Sequence, residues 1–378
     1  MKLLFWFAVI GLILFEVCNV YFIMPMPGSQ RINSIDVAYF LYNYRWYFRL
    51  LFAGLLLLGL VKSKWERKWV PAIPLVLAAI VIYMANFKMA ADAMFQQPKQ
   101  IVFKHAAANK VDSNRLIIGI EINGEAKAYP VQYMGYHHHL QDTVGGKPIL
   151  VTYCTVCRTG RVFEPMVNGK HEQFRLVGMD HFNAMLEDKT TKSWWRQATG
   201  EAIVGELKGL KLTELLSKQT SLDKWVELHP QTSILQADPS FTKHYDTSYK
   251  YESGQSKSKL TGTDSLSWND KSWVVGIRVG NKAKAYDWNR LRKERIIHDT
   301  FNRTAVLLLL AKDDKSFFAF ERSSYNDLFL LNNDTVTLGN NHFRVNGTGI
   351  DTTLNLKPII AYQEFWHSWR TFQPQTEK

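Results

Sequence analysis

The chain has 378 residues, of which 46% are hydrophobic and 13% aromatic, so a disordered protein is excluded. Its formal net charge is +12, but no block of five basic residues occurs. This charge suits a surface that faces anionic lipid headgroups, and we expect no nucleic-acid partner.

Three apolar runs in residues 1–95 predict transmembrane helices at about residues 3–24, 46–62 and 69–87. Each run approaches or exceeds the length of about 20 apolar residues that crosses a bilayer. Glu16 is the only charged residue in the first run, and we expect it to face the other helices.

The loop between the second and third runs, residues 62–68, contains four basic residues and one acidic residue. The positive-inside rule places such a loop in the cytoplasm, so the third helix leads outward. The sequence therefore predicts a multi-pass protein of the inner (cytoplasmic) membrane. Its partner there is the lipid bilayer, and its soluble part lies on the outer, periplasmic side.

The remainder of the chain contains an internal repeat. "LIIGIEINGEAKAYP", from Leu116, matches "WVVGIRVGNKAKAYD", from Trp273, without a gap at an offset of 157 positions. "WVELHPQT" resembles "WRTFQPQT" at an offset of 144 positions. We therefore predict a first β unit at residues 96–235 and a second β unit at 270–378. The polar segment 236–269 is expected to connect them over the surface.

Within these units the apolar runs are short and end at Gly, Asn, Asp or Pro, which is typical of strands. Asn123–Gly124 and Asn168–Gly169 predict hairpin turns. Helical patterns are short, as in "VQYMGYH" and "LTELLSK". The predicted fold class is mainly β with short helices: tandem duplicated β units preceded by an N-terminal α-helical transmembrane region.

The stretch "ILVTYCTVCRTGRVF" holds two of the three cysteines, which are too few for a disulfide framework. At the offset of the repeat, Cys154 and Cys157 correspond to Ala311 and Asp314, so the pair belongs to the first unit alone. A thioredoxin-like couple requires a helix after the pair, and Gly160 with the alternating pattern argues against one. Attachment of c-type haem requires a histidine after the second cysteine, where this chain has an arginine. A metal-binding turn is compatible with the glycine.

Histidines could complete such a metal site. His137, His138 and His139 precede the same strand, and His181 follows later. The sequence predicts that Cys154, Cys157 and His137 bind a transition metal (zinc, copper or iron), with His139 or His181 as a further ligand.

Several alternatives to the metal site stay open. The cysteines can form a metal-free dithiol oxidoreductase or a plain disulfide. The histidines can belong to a polar surface loop. The chain can also be a non-enzymatic envelope scaffold or sensor that binds an envelope protein partner.

Several motifs together resemble a bacterial and archaeal family, domain of unknown function 3179, over most of residues 100–378. They are "EAKAYP", "HHHLQDTVGG", "VTYCTVCRTG", "LVGMDHFNAMLEDKTTKSWWRQATGEAIVGELKGLKL" and "WVELHPQT". The resemblance implies the architecture and a Cys/His constellation with the family's histidine at His137, and it implies no established reaction. This chain departs from the family pattern at Thr155, where the family has proline, and at His181 and Phe182, which replace an Asn-rich turn.

The segment "TTKSWWRQATGEA" also matches the family and allows two interpretations. In one, it is a Trp-anchored turn in which Gly200 has a backbone angle that other residues avoid. In the other, a pocket is lined by Asp188, Trp194, Trp195, Arg196 and Gln197.

Overall fold

The computed structural model describes residues 1–378 and is mainly β with short helices, which confirms the predicted fold class. The chain divides into two compact units. The N-terminal compact unit comprises Met1–Gln96, Gln173–Arg196 and Glu201–Lys211. The C-terminal compact unit comprises Gln97–Glu172, Gln197–Gly200 and Leu212–Lys378. The domain boundaries expected from the sequence stay a prediction.

Most of the helical residues lie in the first hundred positions. The helices are α1 (Lys2–Tyr21), α2 (Ile35–Asn43), α3 (Arg45–Val61), α4 (Trp69–Tyr83), α5 (Ala91–Met94), α6 (Val131–His137), α7 (Leu222–Leu228), α8 (Trp288–Glu294) and α9 (Trp366–Phe372). A π-helical turn, Met84–Lys88, continues α4.

The strands are short and numerous. They are β1 (Phe103–His105), β2 (Leu116–Ile122), β3 (Glu125–Pro130), β4 (His139–Val144), β5 (Lys147–Cys154), β6 (Thr159–Phe163), β7 (Met166–Val167), β8 (Lys170–His171), β9 (Phe174–Asp180), β10 (Asn183–Asp188), β11 (Trp194–Arg196), β12 (Glu201–Val204), β13 (Lys218–Ser221), β14 (Ser233–Leu235), β15 (Trp273–Val279), β16 (Lys282–Asp287), β17 (Ile296–Phe301), β18 (Thr304–Leu310), β19 (Phe317–Glu321), β20 (Leu330–Asn332), β21 (Thr335–Leu338), β22 (Asn341–Arg344), β23 (Lys357–Ile359) and β24 (Ala361–Phe365).

In the N-terminal compact unit, two helices are long and apolar enough to cross a membrane, Lys2–Tyr21 and Trp69–Lys88. The pair α2 and α3, bent by 61°, makes a third span if it is counted as one. All three predicted apolar runs are therefore helical. The same unit contains a four-stranded sheet in the order β12-β11-β10-β9.

The helices share one buried polar cluster. Glu16 of α1 is fully buried, and its carboxylate accepts hydrogen bonds from Arg49 Nε at 2.6 Å and Nη2 at 2.9 Å. Asn86, in the π-helical turn, donates to the same carboxylate at 2.9 Å and accepts from Arg49 at 2.6 Å. Glu16 thus faces the other helices, as expected, and neutralises a guanidinium that an apolar environment would otherwise destabilise.

In the C-terminal compact unit, one order of elements occurs twice. The first motif is β2-β3-α6-β4-β5-β6, and the second motif is β15-β16-α8-β17-β18-β19. In each motif the first two strands form an antiparallel hairpin, and the last three strands are neighbours in one sheet. The turn at Asn123–Gly124 has positive φ at both residues, as predicted for this hairpin.

Matching contacts accompany the two motifs. The Tyr129 hydroxyl donates to Asp142 at 2.7 Å, and the Tyr286 hydroxyl donates to Asp299 at 2.9 Å. These hydrogen bonds tie the second strand of each motif to the strand that follows its helix. The two pairs lie at the offset found in the sequence, so the repeat keeps side-chain contacts as well as strand order.

A second pair of matching contacts involves glycine. A Cβ atom added to Gly119 would lie 2.5 Å from the Trp225 ring, and one added to Gly276 would lie 2.2 Å from the Trp369 ring. Each indole is buried against an interior strand of a sheet, β2 or β15, which requires glycine there. The hydrophobic core of the first motif contains Trp225 together with side chains of β2 and β5.

Two local expectations are wrong. "LTELLSK" forms no helix, because the Leu212 and Leu215 amides donate to the carbonyls of Gly200 and Val162, at 2.9 and 2.8 Å. These long-range hydrogen bonds replace helical ones. The segment 236–269 does not run only over the surface, since Phe241 is 4% exposed and packs in the core of the first motif.

The Glu16 cluster leads to a test of stability. Replacing Glu16 with alanine leaves the partly buried Arg49 guanidinium without its carboxylate, which we expect to lower the free energy of unfolding by about 3 kcal/mol. The measurement is the thermal unfolding midpoint of the full chain in detergent. Asn19→Ala on the same helix is the matched control, because its Oδ1 atom is buried without a hydrogen-bond partner. Equal midpoints for both variants would contradict the expectation.

Candidate functional site

The cysteine pair lies in the tight turn between β5 and β6. Cys154 is the last residue of β5 and pairs with Thr159, the first residue of β6, so residues 155–158 form the turn. Arg158 closes it with φ of 56°. No helix follows the second cysteine, as predicted, so helix-dipole activation of a thiol does not operate here.

Both sulfur-bearing residues are buried. Cys154 is 1% exposed and Cys157 is 0% exposed, and no disulfide joins them. Thr155 between them is the one partly exposed residue of the turn. The turn therefore places both thiols beneath the surface, with its outermost residue, Thr155, partly exposed.

Lys271, which lies two residues before β15, places a positive charge at this turn. Its Nζ donates to the Val156 carbonyl oxygen at 2.8 Å and to the Leu260 carbonyl oxygen at 2.5 Å. It also lies 4.6 Å from the centre of the Phe365 ring. Burial lowers the pKa of Lys271, and the neighbouring Cys157 and Cys154 sulfurs act in the opposite direction.

His367 of α9 completes this side of the turn. Its Nε2 lies 3.2 Å from Lys271 Nζ and 3.1 Å from the Val156 carbonyl oxygen. Burial and the adjacent ammonium lower the pKa of His367 to about 4, so the imidazole is neutral at pH 7. The ammonium of Lys271 is thus the positive charge on this side of the turn, and a neutral ring holds it in place.

The backbone of the turn is bound by β24. The Phe365 amide donates to the Cys157 carbonyl oxygen at 2.9 Å. Next to it, Thr159 Oγ1 donates to Glu364 at 2.9 Å. Arg161 also forms an ion pair with Glu364, and all these groups are buried. Strand β24, which is hydrogen-bonded to the second motif, therefore fixes the turn of the first.

Arg158 anchors the turn from within. Its guanidinium is fully buried and donates to Gln363 at 3.0 Å and to the carbonyl oxygens of Tyr251 and Glu252, both at 2.9 Å. It also lies 3.6 Å from the centre of the Trp273 ring. A buried guanidinium is stable only with such partners, so replacing any of them would loosen the turn.

Two tyrosines line the other side. The Tyr251 hydroxyl donates to the Thr155 carbonyl oxygen at 3.0 Å and lies 3.0 Å from the Tyr153 hydroxyl. Burial raises the pKa of Tyr153 to about 12 and the pKa of Tyr251 well above its usual value. Both phenols are therefore neutral and add no negative charge beside the thiols.

The three consecutive histidines point to different partners. His137 Nε2 lies 2.8 Å from the Tyr245 hydroxyl, and His139 Nδ1 lies 3.1 Å from Gln97 Nε2. His138 has φ of 62°, and its Nδ1 lies 2.9 Å from the Tyr153 carbonyl oxygen. Burial lowers the pKa of His138 to about 4, so this imidazole is neutral and donates to that oxygen.

His181 belongs to the N-terminal compact unit. Its Nδ1 lies 2.6 Å from Asp180, which also pairs with Arg196. No group of three or more His, Cys, Asp or Glu side chains is placed so that it could hold a metal ion. A transition-metal site at Cys154 and Cys157 with these histidines stays a prediction.

The segment proposed to line a pocket consists mainly of buried, hydrogen-bonded side chains. Trp194 and Trp195 are 0% and 2% exposed, and their indole nitrogens donate to Glu187 and Asp188, both at 3.0 Å. Gln197 donates to Thr152 at 3.0 Å. These contacts favour the Trp-anchored turn, and the pocket formed by Asp188, Trp194, Trp195, Arg196 and Gln197 stays a prediction.

Lys271 and His367 contact the turn of residues 155–158, called the thiol turn below. The sequence did not predict a role for either residue there. Both lie in or beside the second motif, which lacks cysteine, so nothing assigned them to the thiols. The sequence did contain a signal. At the offset of 157 positions Lys271 corresponds to Asn114, and at the offset of 144 positions His367 corresponds to Asp223. Like the cysteines, these two residues occur in one half of the repeat only.

The fold and site define a mainly β protein that carries membrane-length helices and a buried Cys-x-x-Cys turn. The chain belongs to the DUF3179 family, described as protein of unknown function, whose family model matches residues 96–376. This confirms the resemblance found in the sequence. No curated protein and no solved structure matches the chain.

The buried neutral imidazoles predict an acid-dependent stability. An unfolded imidazole binds a proton below about pH 6.5, whereas folded His138 and His367 bind one only near pH 4. Stability is therefore complete above pH 6.5 and falls as the pH drops towards 4. Each ring should cost about 2 kcal/mol between pH 7 and pH 5.

Thermal unfolding of the full chain in detergent at both pH values measures this. His138→Asn, which tolerates the positive φ, should unfold with a smaller drop between the two pH values. The exposed His105→Asn is the control and should keep the full drop. A drop of the same size in both variants would refute the assignment of acid sensitivity to His138.

Proposed function

We propose that this protein is a membrane-anchored, extracytoplasmic thiol–disulfide protein in which Cys154 and Cys157 exchange two electrons with a disulfide of an envelope partner. The observation that carries the proposal is the Lys271 ammonium held against the turn of the two cysteines, 2.8 Å from the Val156 carbonyl oxygen. A nearby cation stabilises the thiolate, which is the reactive form of cysteine.

The reaction balances without a further cofactor. One thiolate attacks a disulfide of the partner, forms a mixed disulfide and expels one partner thiolate. The second cysteine then attacks its neighbour's sulfur, forms the Cys154–Cys157 disulfide and releases the second partner thiolate. The partner gains two electrons, and the two protons lost by the cysteines pass to its sulfurs. Because both thiols are buried, the turn at Thr155 must open for the attack.

The surroundings support a dithiol more than a metal ion. A desolvated ammonium beside two sulfurs competes with a second cation there. One ring nitrogen in each of His137, His138 and His139 already has a protein partner. A zinc, copper or iron ion remains a defined alternative, because two thiolates in one tight turn are a common half of a metal site.

We also infer that the two motifs arose by tandem duplication and that the thiol chemistry belongs to one of them. The gapless sequence match, the equal element order and the matched Tyr–Asp and Gly–Trp contacts support this. Ala311 and Asp314 occupy the positions of the cysteines in the second motif.

Anchoring follows from the membrane-length helices. We propose three spans, with residues 62–68 in the cytoplasm and the C-terminal compact unit on the outer, periplasmic side of the inner membrane. The excess of basic residues in that loop supports this orientation. The outer side is also the compartment in which cysteine pairs meet oxidants.

Thiol counting tests the dithiol. In full-length protein carrying Cys18→Ser, a maleimide polymer should modify two thiols after reduction and denaturation, and none after treatment with an oxidised small-molecule disulfide. Cys154→Ser should keep one reactive thiol throughout. The measurement is the number of shifted bands on a gel.

The other hypotheses have distinct outcomes in this experiment. Thiols in native protein that react only after a chelator is added, together with metal that is lost in Cys154→Ser, would replace the dithiol by a metal site. Two thiols that resist oxidation and bind no metal would contradict both. A Cys154→Ser strain that keeps every phenotype lost in the deletion strain would favour the scaffold.

Orientation is tested by side-specific labelling. In a cysteine-free background, Lys257→Cys in the C-terminal compact unit should react with an impermeant maleimide in cells whose outer membrane is opened. Lys64→Cys in the loop between α3 and α4 should react only after lysis. Both lysines are exposed, so accessibility within the protein does not decide the result. The reverse pattern would place the soluble part in the cytoplasm.

A further inference from the structure

The segments that flank each motif contact a turn of the other motif, which gives two equivalent contact places. The first of them is the thiol turn, residues 155–158. At the first place, Lys271 donates to the Val156 carbonyl oxygen, and the Phe365 amide donates to the Cys157 carbonyl oxygen at 2.9 Å. Both donors flank or follow the second motif, and both acceptors lie in the turn after β5 of the first.

At the second place the roles are reversed. The turn after β18 of the second motif contains Asp313 and leads to Ser316. The chain that flanks the first motif reaches it through Ser221, whose Oγ donates to Asp313 at 2.6 Å and whose amide donates to Ser316 at 3.0 Å. Lys315 donates to the Asn114 carbonyl oxygen at 3.2 Å.

These residues correspond at the two offsets of the repeat. Asn114 corresponds to Lys271, and Ser221 corresponds to Phe365. Corresponding residues therefore contact the turn of the other motif at both places, through backbone carbonyl oxygens at the first and through side chains at the second. Only at the first place does a lysine amine approach a pair of sulfurs, so its charge is not required by the shared architecture.

We propose that Lys271 is a positioning residue that holds the thiolate of Cys157 in its ionised form and so sets the redox equilibrium of the Cys154–Cys157 couple. This inference rests on the proposed dithiol function. The ammonium is partly buried, it is fixed by two carbonyl oxygens and by His367, and one of these oxygens belongs to Val156, the residue next to Cys157. Charge beside a thiolate in such an environment is weakly screened.

Among the other groups that face the turn, Arg158 carries a second, fully buried positive charge, which is present in the parent and in every Lys271 variant alike. His367, Tyr153 and Tyr251 are neutral at pH 7. The Arg158 guanidinium is bound to Gln363 and two carbonyl oxygens, and its ring partner is Trp273. Asp270, next to Lys271, raises the pKa of Lys271 and forms an ion pair with Arg370.

The stabilised thiolate belongs to the reduced form only, because the disulfide carries no charge. Lys271 therefore favours the dithiol over the disulfide and makes the couple more oxidising. When the partner disulfide accepts electrons, the attraction between the ammonium and the thiolate is lost as the Cys154–Cys157 bond forms.

The test is equilibration of full-length Cys18→Ser protein in detergent with glutathione buffers, followed by quenching and thiol counting. Lys271→Gln keeps a donor for the Val156 carbonyl but removes the charge. We expect its disulfide to form at a glutathione ratio about tenfold more reducing, which is the effect of one nearby charge. Lys271→Arg keeps the charge and should stay close to the parent protein.

The matched control is Lys315→Gln, which removes the lysine at the equivalent place, where no sulfur is present. It should leave the equilibrium unchanged. The difference between Lys271→Gln and the parent should also shrink at a pH well below the range in which thiols ionise, which a merely structural role would not produce.

The measurement distinguishes a failure of the dithiol function from a failure of the role of Lys271. If no Cys154–Cys157 disulfide forms at any glutathione ratio, the dithiol function is wrong, and the role of Lys271 falls with it. If the disulfide forms at the same ratio in the parent and in Lys271→Gln, the dithiol stands and the role of Lys271 is refuted. A shift of equal size in Lys315→Gln would also refute it.

Discussion

Backbone carbonyl oxygens of the cysteine turn are bound by parts of the chain that follow it by more than a hundred positions. The Val156 carbonyl accepts from Lys271, and the Cys157 carbonyl accepts from the Phe365 amide. A tight turn with two buried thiols leaves these oxygens without partners inside its own hairpin, and a buried unpaired carbonyl is costly. The first motif therefore depends on the second for a stable thiol turn.

The proposed duplication accounts for the dependence of one motif on the other. Two similar motifs that contact each other have two equivalent contact places. At each place, polar side chains form hydrogen bonds with backbone groups. The second place uses Asp313, Ser316 and Ser221, which satisfy each other by hydrogen bonds. The first combines sulfurs with an ammonium, a pairing in which a charge can change a reaction. The proposed thiol chemistry uses only the first of these two places, and the second stabilises the fold.

In the N-terminal compact unit, a charged side chain is likewise stabilised by partners that lie far away in the sequence. Arg49 would destabilise a helix in an apolar environment, and Glu16 and Asn86 from two other helical segments satisfy it. In a bilayer no water replaces such partners, so the cluster fixes which helices are neighbours. In the fold, Arg49 is therefore part of a neutral pair with Glu16.

Much of the fold could be predicted from local pattern. The hairpin at Asn123–Gly124 follows from a residue pair that favours positive φ, and α1 follows from an apolar run of sufficient length. The stretch around Leu212 and Leu215 could not be predicted, because its helical pattern is overridden by amide partners far away in the sequence. Phe241 lies in a polar segment, yet tertiary packing buries it.

The sequence by itself determined the strand-rich class, the repeat, the apolar helices and the position of the cysteine pair, because periodicity and spacing are local properties of a chain. Only the tertiary structure decided what surrounds the sulfurs. The histidines close to them in sequence bind Tyr245, the Tyr153 carbonyl and Gln97, whereas Lys271 and His367 come from the segments before and after the second motif. Electrostatic influence depends on distance in space, and sequence separation carries no record of that distance.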